Sequence, residues 1–443
     1  MAAFAGNHLR PGVARLTLHQ AREEAGDAYR TVEARLSSKK ALEITLGIIT
    51  SIGGFLDVGM IATASQAGAL FGFRHLWVIA LGTLCTIFLV EMSGRFAAVS
   101  KHTIRGAMRE RLGASFFVLT LILSLLVNFL VLASEIGGLS LALQLVSGIP
   151  SRWWAAPVGL VVWALLWKGT FSFLERGIAL LGLVTVAFVV GAVETHPPLG
   201  SVLRGFIPGG AGPGGDAARY WFIAVSILGA IISPYLFYFY SSGGVEDRWD
   251  ESYLGINRVV ASVGMSFGSV VAMGVLVAAA MVLLPRGIGV DRFEEAVPVL
   301  TVPLGRWGFY LFAASLGIAC LGATLEASLS TAYELAQGFG WRWGESLAPR
   351  DASRFALSYT IVIAGAAVPT LLGLDPLKLT ILSMALTALI LPPVIVPFVI
   401  LMNDERYLGS HRNGLVSNVV VLAIIALAFV LAVVSIPLQI LGG

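Results

Sequence analysis

Charged residues are scarce in this chain. They occupy 12% of its 443 positions, whereas roughly a quarter of an ordinary soluble domain is charged, and hydrophobic residues occupy 57%. Two cysteines are too few for a disulfide framework or a thiolate metal centre. The six histidines, mostly outside the apolar stretches, argue against hydrolytic zinc or histidine-based chemistry. The composition predicts a polytopic membrane protein that is not an enzyme and has no cofactor.

Apolar stretches long enough to cross a bilayer recur along the whole chain. Short loops join them, so we expect one integral membrane domain, residues 43–443, after a polar cytoplasmic tail, residues 1–42, that lacks the apolar core of a signal peptide. The eleven predicted spans are 44–70, 74–99, 114–147, 153–171, 176–194, 220–243, 255–284, 307–338, 355–373, 377–402 and 414–441.

The distribution of basic residues predicts the orientation. If the N-terminus is cytoplasmic, most of the 29 Lys and Arg residues fall on cytoplasmic segments, as the positive-inside rule requires, and an odd number of spans leaves the C-terminus outside. These residues are spread over several loops and form no patch for nucleic acid. We expect a prokaryotic plasma-membrane protein whose partners are the bilayer and a transported solute. The sequence leaves the oligomeric state open, and a monomer is compatible with it.

Asp57 lies about halfway along an otherwise uncharged apolar run, residues 44–73. A carboxylate at that depth is costly and by default marks a functional site. Glycines flank it, including Gly59, so an interrupted helix is predicted there, and Ser233-Pro234 interrupts another span. Paired interrupted helices in two halves of a chain indicate the midplane site of a secondary transporter. A Pro- and Gly-rich segment, residues 194–219, separates the predicted halves, which are residues 43–194 and 220–403; an extra helix, residues 414–441, follows.

Four motifs then resemble one known family in the right order. The sequence Gly-Phe-Leu-Asp-Val-Gly-Met-Ile-Ala-Thr at 54–63, with 66–73, is similar to the first span of the natural resistance-associated macrophage proteins, the Nramp transporters of divalent metals. Residues 142–150 resemble the end of that family's third span, 205–214 the loop before its sixth, and 391–409 the tail of its tenth. The resemblance covers about residues 44–441. It implies an all-α integral membrane protein with the LeuT-type fold, two inverted five-helix repeats plus an eleventh span, and alternating access.

The resemblance also implies where a metal ion would bind. Asp57 matches the family's ligand Asp, and the backbone carbonyl of Ala230 matches a second ligand. Three family ligands differ: Met60 replaces an Asn, Ser233 replaces a Met, and Met384 replaces a Gln. A hydroxyl hardens the site, whereas thioethers favour softer ions. Helix packing is the alternative role for the two methionines.

The groups that the family uses for proton coupling are only partly present. Glu135 matches the family's Glu, but Leu132 stands for its Asp and Tyr235 for its His. A phenol titrates near pH 10 and an imidazole near about 6.5, so the substitution removes a group suited to exchanging protons near neutrality. Glu135 is either a proton site, a cation-attracting charge or a hydrogen-bonded structural acid. Glu326, in the eighth span, is either a replacement acidic site or the partner of another helix.

Two functions on one scaffold remain open from the sequence. The first is a secondary transporter of a divalent cation, Mn²⁺ or Mg²⁺, with proton coupling in doubt. The second is a transporter of a non-metal small solute, or a non-transporting sensor, which the aromatic run 235–240 and the changed ligands favour. Such aromatic rings can wall an organic substrate, or they can be packing residues. Glu91, one turn before Arg95, is predicted either to form a structural ion pair with it or to extend its carboxylate toward the cytoplasmic membrane surface.

Overall fold

The described part of the chain is helical. The computed structural model describes residues 57–168, 177, 180–212, 215–345 and 347–441. The predicted tail 1–42, the first half of the first span with its Gly53-Gly54 pair, and most of the junction at 169–179 lie outside the described residues. Numbered along the chain, the helices are α1 Val58–Phe71, α2 Leu76–Ser100, α3 Ile104–Leu112, α4 Ala114–Ser147, α5 Ser151–Trp167, α6 Ala187–Glu194, α7 Leu199–Arg204, α8 Ala217–Ile231, α9 Pro234–Glu246, α10 Leu254–Val282, α11 Pro298–Phe339, α12 Ser353–Leu371, α13 Pro376–Met402, α14 Glu405–Leu408 and α15 Leu415–Leu441.

These helices coincide with the described parts of all eleven predicted spans. Seven helical stretches among the described residues are long and apolar enough to cross a membrane, and the stretch 58–100 contains two of the predicted spans, α1 and α2. Helix α11 begins earlier than predicted, but its backbone departs from helical geometry at Gly305, where φ is +61°. Only glycine adopts that conformation at little cost, so the straight part of this helix starts close to the predicted position 307.

The predicted interruption of the sixth span is present between α8 and α9. Helix α8 ends at Ile231, Ile232 has φ −96° and ψ 65°, and Ser233 is extended. Pro234 has no N–H to donate to the carbonyl of Ala230, and it disfavours helical geometry in the residue before it. At the first position of α9 its fixed φ is suitable for a helix. The sequence Ser-Pro therefore ends one helix and begins the next.

Helix α1 lies at the centre of the described bundle and is buried along nearly its whole length. It contacts α8, α10, α13 and, at its N-terminus, α4 and α11. Close contact with α10 depends on Gly68, because a Cβ there would lie 2.8 Å from Cβ of Ala279 and 2.9 Å from the amide nitrogen of Ala280. Small residues at such crossings let helix backbones approach in a membrane, where van der Waals contact drives association.

We expect Gly68→Ala to lower the thermal stability of the protein, because the added methyl meets the α10 backbone, which cannot move without disturbing its own packing. Overpacking of this kind costs about 1–3 kcal/mol. The measurement is the melting midpoint of detergent-solubilised protein by fluorescence-detected size exclusion. The control is Gly243→Ala in α9, where a Cβ would meet nothing within 4 Å. Equal midpoints for the two variants would contradict the tight crossing.

Candidate functional site

Asp57 is the residue that begins α1. Its backbone is extended, with φ −118° and ψ 176°, and its Oδ1 accepts a hydrogen bond of 2.7 Å from the amide of Met60. Asp is a preferred N-cap because it satisfies an N–H that has no partner within the helix. The side chain is 2% exposed. A buried carboxylate therefore lies at the positive end of a helix dipole, pointing into the interior of the bundle.

Gly59 has a different role from the one predicted. It lies inside the first turn of α1, so the backbone departs from the helix at Asp57 and not at Gly59. Its missing side chain makes room instead: a Cβ would lie 2.5 Å from Cε and 2.8 Å from Sδ of Met384, and 3.2 Å from Oδ1 of Asp57. The thioether of Met384 and the carboxylate of Asp57 therefore both border the position that a Gly59 side chain would occupy.

Helix α8 contacts the backbone of Met384 just before the break between α8 and α9. Gly229 packs directly on the backbone of Met384. A Cβ on Gly229 would lie 3.0 Å from the carbonyl carbon of Met384. The next residue, Ala230, has a carbonyl without its normal helical donor because Pro234 lacks an N–H. The hydroxyl of Ser233 is buried and has no hydrogen-bond partner among the described residues. Since buried polar atoms are nearly always paired, such a hydroxyl is a candidate ligand.

Neighbouring helices stabilise the unwound turn. Thr86 of α2 donates to the carbonyl of Ile231 at 3.0 Å, and Ser330 of α11 donates to the carbonyl of Tyr235 at 3.2 Å. In a membrane every backbone polar group released from a helix needs such a partner. The Thr86 hydroxyl therefore satisfies a carbonyl at the end of α8, and Ser330 links α11 to the first turn of α9.

Glu135, on α4, contacts the start of α1 directly. Its carboxylate accepts the amide of Val58, at 3.2 Å to Oε1 and 3.4 Å to Oε2, and the thiol of Cys320 also donates to it. Asp57 and Glu135 together therefore satisfy two amides at the N-terminus of one helix. Cys320 of α11 therefore makes a polar contact at the site.

Glu326 and Tyr235 belong to the same group of residues. Glu326 is 5% exposed, its charge interacts with that of Glu135, and the Tyr235 hydroxyl is within electrostatic reach of both and of Asp57. Among the described residues, no three His, Cys, Asp or Glu side chains form a group that could hold a metal ion. The donors that remain are one carboxylate with carbonyl, hydroxyl and thioether groups. Met60 contributes its amide to Asp57, and its side chain lies in the buried core.

The aromatic run after the break packs against helices. Phe237 stacks on Phe398 with ring centroids 5.7 Å apart, Tyr238 lies under the Arg105 guanidinium, and the Tyr240 hydroxyl donates to Asn257 at 3.0 Å. These contacts favour the packing interpretation over an aromatic wall for an organic substrate.

The predicted pair of Glu91 and Arg95 is confirmed as an ion pair, at 3.2 Å. It lies away from the residues around Asp57 and has a structural role.

The helix order, the break between α8 and α9 and the buried carboxylate at the start of α1 fit an integral membrane transporter of the LeuT type, and comparison with known proteins agrees with this class. The sequence model of the natural resistance-associated macrophage protein-like family matches residues 47–437. The chain therefore belongs to the Nramp family, whose members are transporters and not enzymes.

Relatives and solved structures cover most of the chain. A divalent metal cation transporter MntH from Deinococcus radiodurans is 28% identical over 82% of this chain and 82% of its own, and one from Aeromonas hydrophila is 26% identical over 84% and 90%. The manganese transporter of Eremococcus coleocola superimposes with a TM-score of 0.75 at 20% identity, over 90% of this chain and 88% of that chain. A nucleobase-cation-symport-1 family transporter gives a TM-score of 0.59 at 16% identity, over 90% of each chain. These structures confirm the predicted fold.

Sequence reasoning missed three residues that make polar contacts around the candidate site: Thr86, Ser330 and Cys320. Each is a small polar residue inside an apolar helix, and such residues often bond to their own helix, as Thr324 does to the carbonyl of Cys320 at 2.5 Å. Nothing in the local sequence separates the hydroxyls that reach another helix from those that do not.

Gly59→Ala tests the contact between α1 and Met384. We expect this substitution to lower the melting midpoint, because the methyl displaces the Met384 thioether, and we expect Met384→Ala to lower it by creating a cavity. The double variant is expected to be more stable than the sum of the two effects, with an interaction energy of about 0.5–3 kcal/mol. Thermal melting of the four proteins measures this energy. Strictly additive shifts would refute the contact.

Proposed function

We propose that this protein transports a divalent cation, with Asp57 as the principal ligand. The observation that carries the proposal is that the buried Asp57 carboxylate and the Met384 thioether flank Gly59, while the backbone of Met384 packs on Gly229 just before the break that carries the partnerless Ser233 hydroxyl. Family membership and the metal-transporting relatives support the same class of substrate.

The donor atoms indicate the kind of ion. The Asp57 carboxylate, the Ala230 carbonyl and the Ser233 hydroxyl are hard oxygen donors, which suit Mg²⁺, Ca²⁺ and Mn²⁺, whereas the Met384 thioether favours softer ions. With one carboxylate, a bound ion keeps part of its water shell. A mixed set of this kind fits Mn²⁺ best, and Mg²⁺ is the harder alternative. Met60 is a further candidate contact.

Burial of the site supports alternating access. Asp57 is 2% exposed, Ser233 5% and Met384 0% in the described conformation. An ion in such a site reaches water only when helices move, and Asp57 and Tyr235, at the starts of α1 and α9, lie within electrostatic reach of each other. We therefore propose opening to one side at a time, with movement about the interrupted turns.

Orientation and location complete the proposal. We propose a prokaryotic plasma-membrane protein with a cytoplasmic N-terminus, in agreement with the bacterial relatives and the distribution of basic residues. In this orientation α3 and the loop between α9 and α10 lie on the cytoplasmic side.

Asp57→Ala is expected to abolish binding and uptake of Mn²⁺, because it removes the carboxylate that flanks the Met384 thioether. Isothermal titration of purified protein with Mn²⁺, Mg²⁺, Ca²⁺ and Cd²⁺ measures binding, and ⁵⁴Mn²⁺ accumulation in liposomes measures uptake. The control, Asp291→Ala, removes a surface carboxylate whose side chain is 80% exposed. Undiminished uptake by Asp57→Ala would exclude Asp57 as the ligand.

The same titration separates the metal proposal from its alternative. A small-solute transporter or a sensor on this scaffold would bind none of the four ions, and Asp57→Ala would leave that result unchanged. Binding of Mn²⁺ that is lost in Asp57→Ala supports a metal site.

Mn²⁺ uptake is expected to proceed without stoichiometric acidification of the liposome interior. Tyr235 is buried where the family has a His, and a phenol does not exchange protons near neutrality, with a reference pKa of about 10. A trapped pH-sensitive dye, read together with ⁵⁴Mn²⁺ uptake, gives the ratio of protons to ions. A fixed ratio of one or more protons per ion would show that another group, with Glu135 and Glu326 the first candidates, carries the proton.

A further inference from the structure

A second buried charged cluster lies one to two turns from the proposed ion site, toward the side that carries α3. Arg105 of α3 and Glu334 of α11 form an ion pair, and each side chain is 1% exposed. The other Glu334 oxygen accepts a hydrogen bond of 2.8 Å from Asn128 of α4. The cluster therefore joins three helices through one charged pair.

The guanidinium of Arg105 has further partners. It donates to Ser124 and, at 3.4 Å, to Thr120 on α4. Its central carbon lies 3.8 Å from the centroid of the Tyr238 ring on α9, a cation–π contact. Since α9 begins at the proposed site, Tyr238 connects Arg105 to the half-helix that carries Ser233.

We propose that Arg105, Glu334 and Tyr238 form a latch that holds the α3 side of the protein closed over the ion site. This inference rests on the proposed alternating access, because a latch has a function only if α9 moves away from α3 and α11. Under the proposed orientation the latch controls release of the ion to the cytoplasm.

The energetics of a buried ion pair fit a reversible closure. In a dry interior the attraction is strong, but the desolvation of both charges offsets much of it, so such a pair contributes little net stability. When the α3 side opens, water reaches both groups and solvation replaces the lost attraction. Loss of one partner in the closed state has no such compensation, because a single charge then remains buried.

Incomplete pairing in the cluster also favours rearrangement. The Nε of Arg105 and the Oδ1 of Asn128 are buried without a hydrogen-bond partner among the described residues. A partly satisfied polar network is less stabilising than a complete one, and water that enters on opening can supply the missing partners.

Ser330 provides a reporter between the latch and the site. It lies on α11 one turn from both Glu326 and Glu334, and it is fully buried. In a protein carrying Ser330→Cys, the rate of labelling by a membrane-impermeant maleimide in detergent reports how often the α3 side opens. The parent protein without this substitution corrects for Cys85 and Cys320.

We expect Glu334→Gln to raise the labelling rate of Ser330→Cys about tenfold, which corresponds to a shift of about 1.4 kcal/mol toward the open state. The matched control is Glu91→Gln, which breaks the half-buried ion pair with Arg95 on the same side and is expected to leave labelling unchanged. An unchanged rate in Glu334→Gln, or an equal rise in the control, would overturn the latch.

A second variant keeps the test decisive. If Glu334→Gln does not give a monodisperse protein, Tyr238→Leu keeps the ion pair and removes only the cation–π contact, and a smaller rise in labelling is expected. No rise in this variant would then overturn the proposal.

Labelling needs no metal ion, so it is read independently of the Mn²⁺ titration of Asp57→Ala. Failure of the latch and failure of the metal site are thereby distinguishable.

Discussion

The start of α1 in the middle of the bundle is the constraint on which the rest of the structure depends. A helix that begins in an apolar medium has amides with no partner inside the helix, and no solvent is present to accept their hydrogens. Asp57 accepts the amide of Met60, and Glu135 accepts that of Val58. The helix end therefore requires acceptors at the same depth where a cation would be bound. The same carboxylates that satisfy the backbone make the site negative.

The break between α8 and α9 contributes the opposite kind of helix end, a C-terminus. At the C-terminus of α8 the free groups are carbonyls, and Thr86 satisfies one of them. Pro234 leaves the Ala230 carbonyl without a helical donor. In the proposed site, the candidate ligands that match the Nramp pattern are a backbone carbonyl and a carboxylate, whereas three neighbouring side chains differ from that pattern. Backbone ligands survive side-chain substitution, whereas the balance of hard and soft donors depends on Ser233 and Met384.

Helix α9 connects the proposed ion site to the proposed latch. Its first residues border the site, and Tyr238, one turn later, meets the Arg105 guanidinium. Helix α9 has 13 residues, and a continuous helix of this length carries a displacement from one of its ends to the other. The aromatic run from 235 to 240 gives that segment large buried contacts, which explains its composition without an organic substrate.

Sequence alone determined the membrane class, the positions of the helices, the family and the break at Ser233-Pro234, and it singled out Asp57, which is the buried residue that begins α1. These features follow from local chemistry: apolar length, the geometry of proline and the cost of a buried charge. The role of Gly59 was predicted wrongly, because a glycine near a break indicates either a flexible backbone or a close contact, and only the position of Met384 distinguishes them. Tertiary structure alone decided that Cys320, Thr86 and Ser330 reach the interrupted helices, and that Arg105 meets Glu334 across 229 positions. Such contacts depend on how helices distant in sequence pack together, and no local pattern of residues encodes that packing.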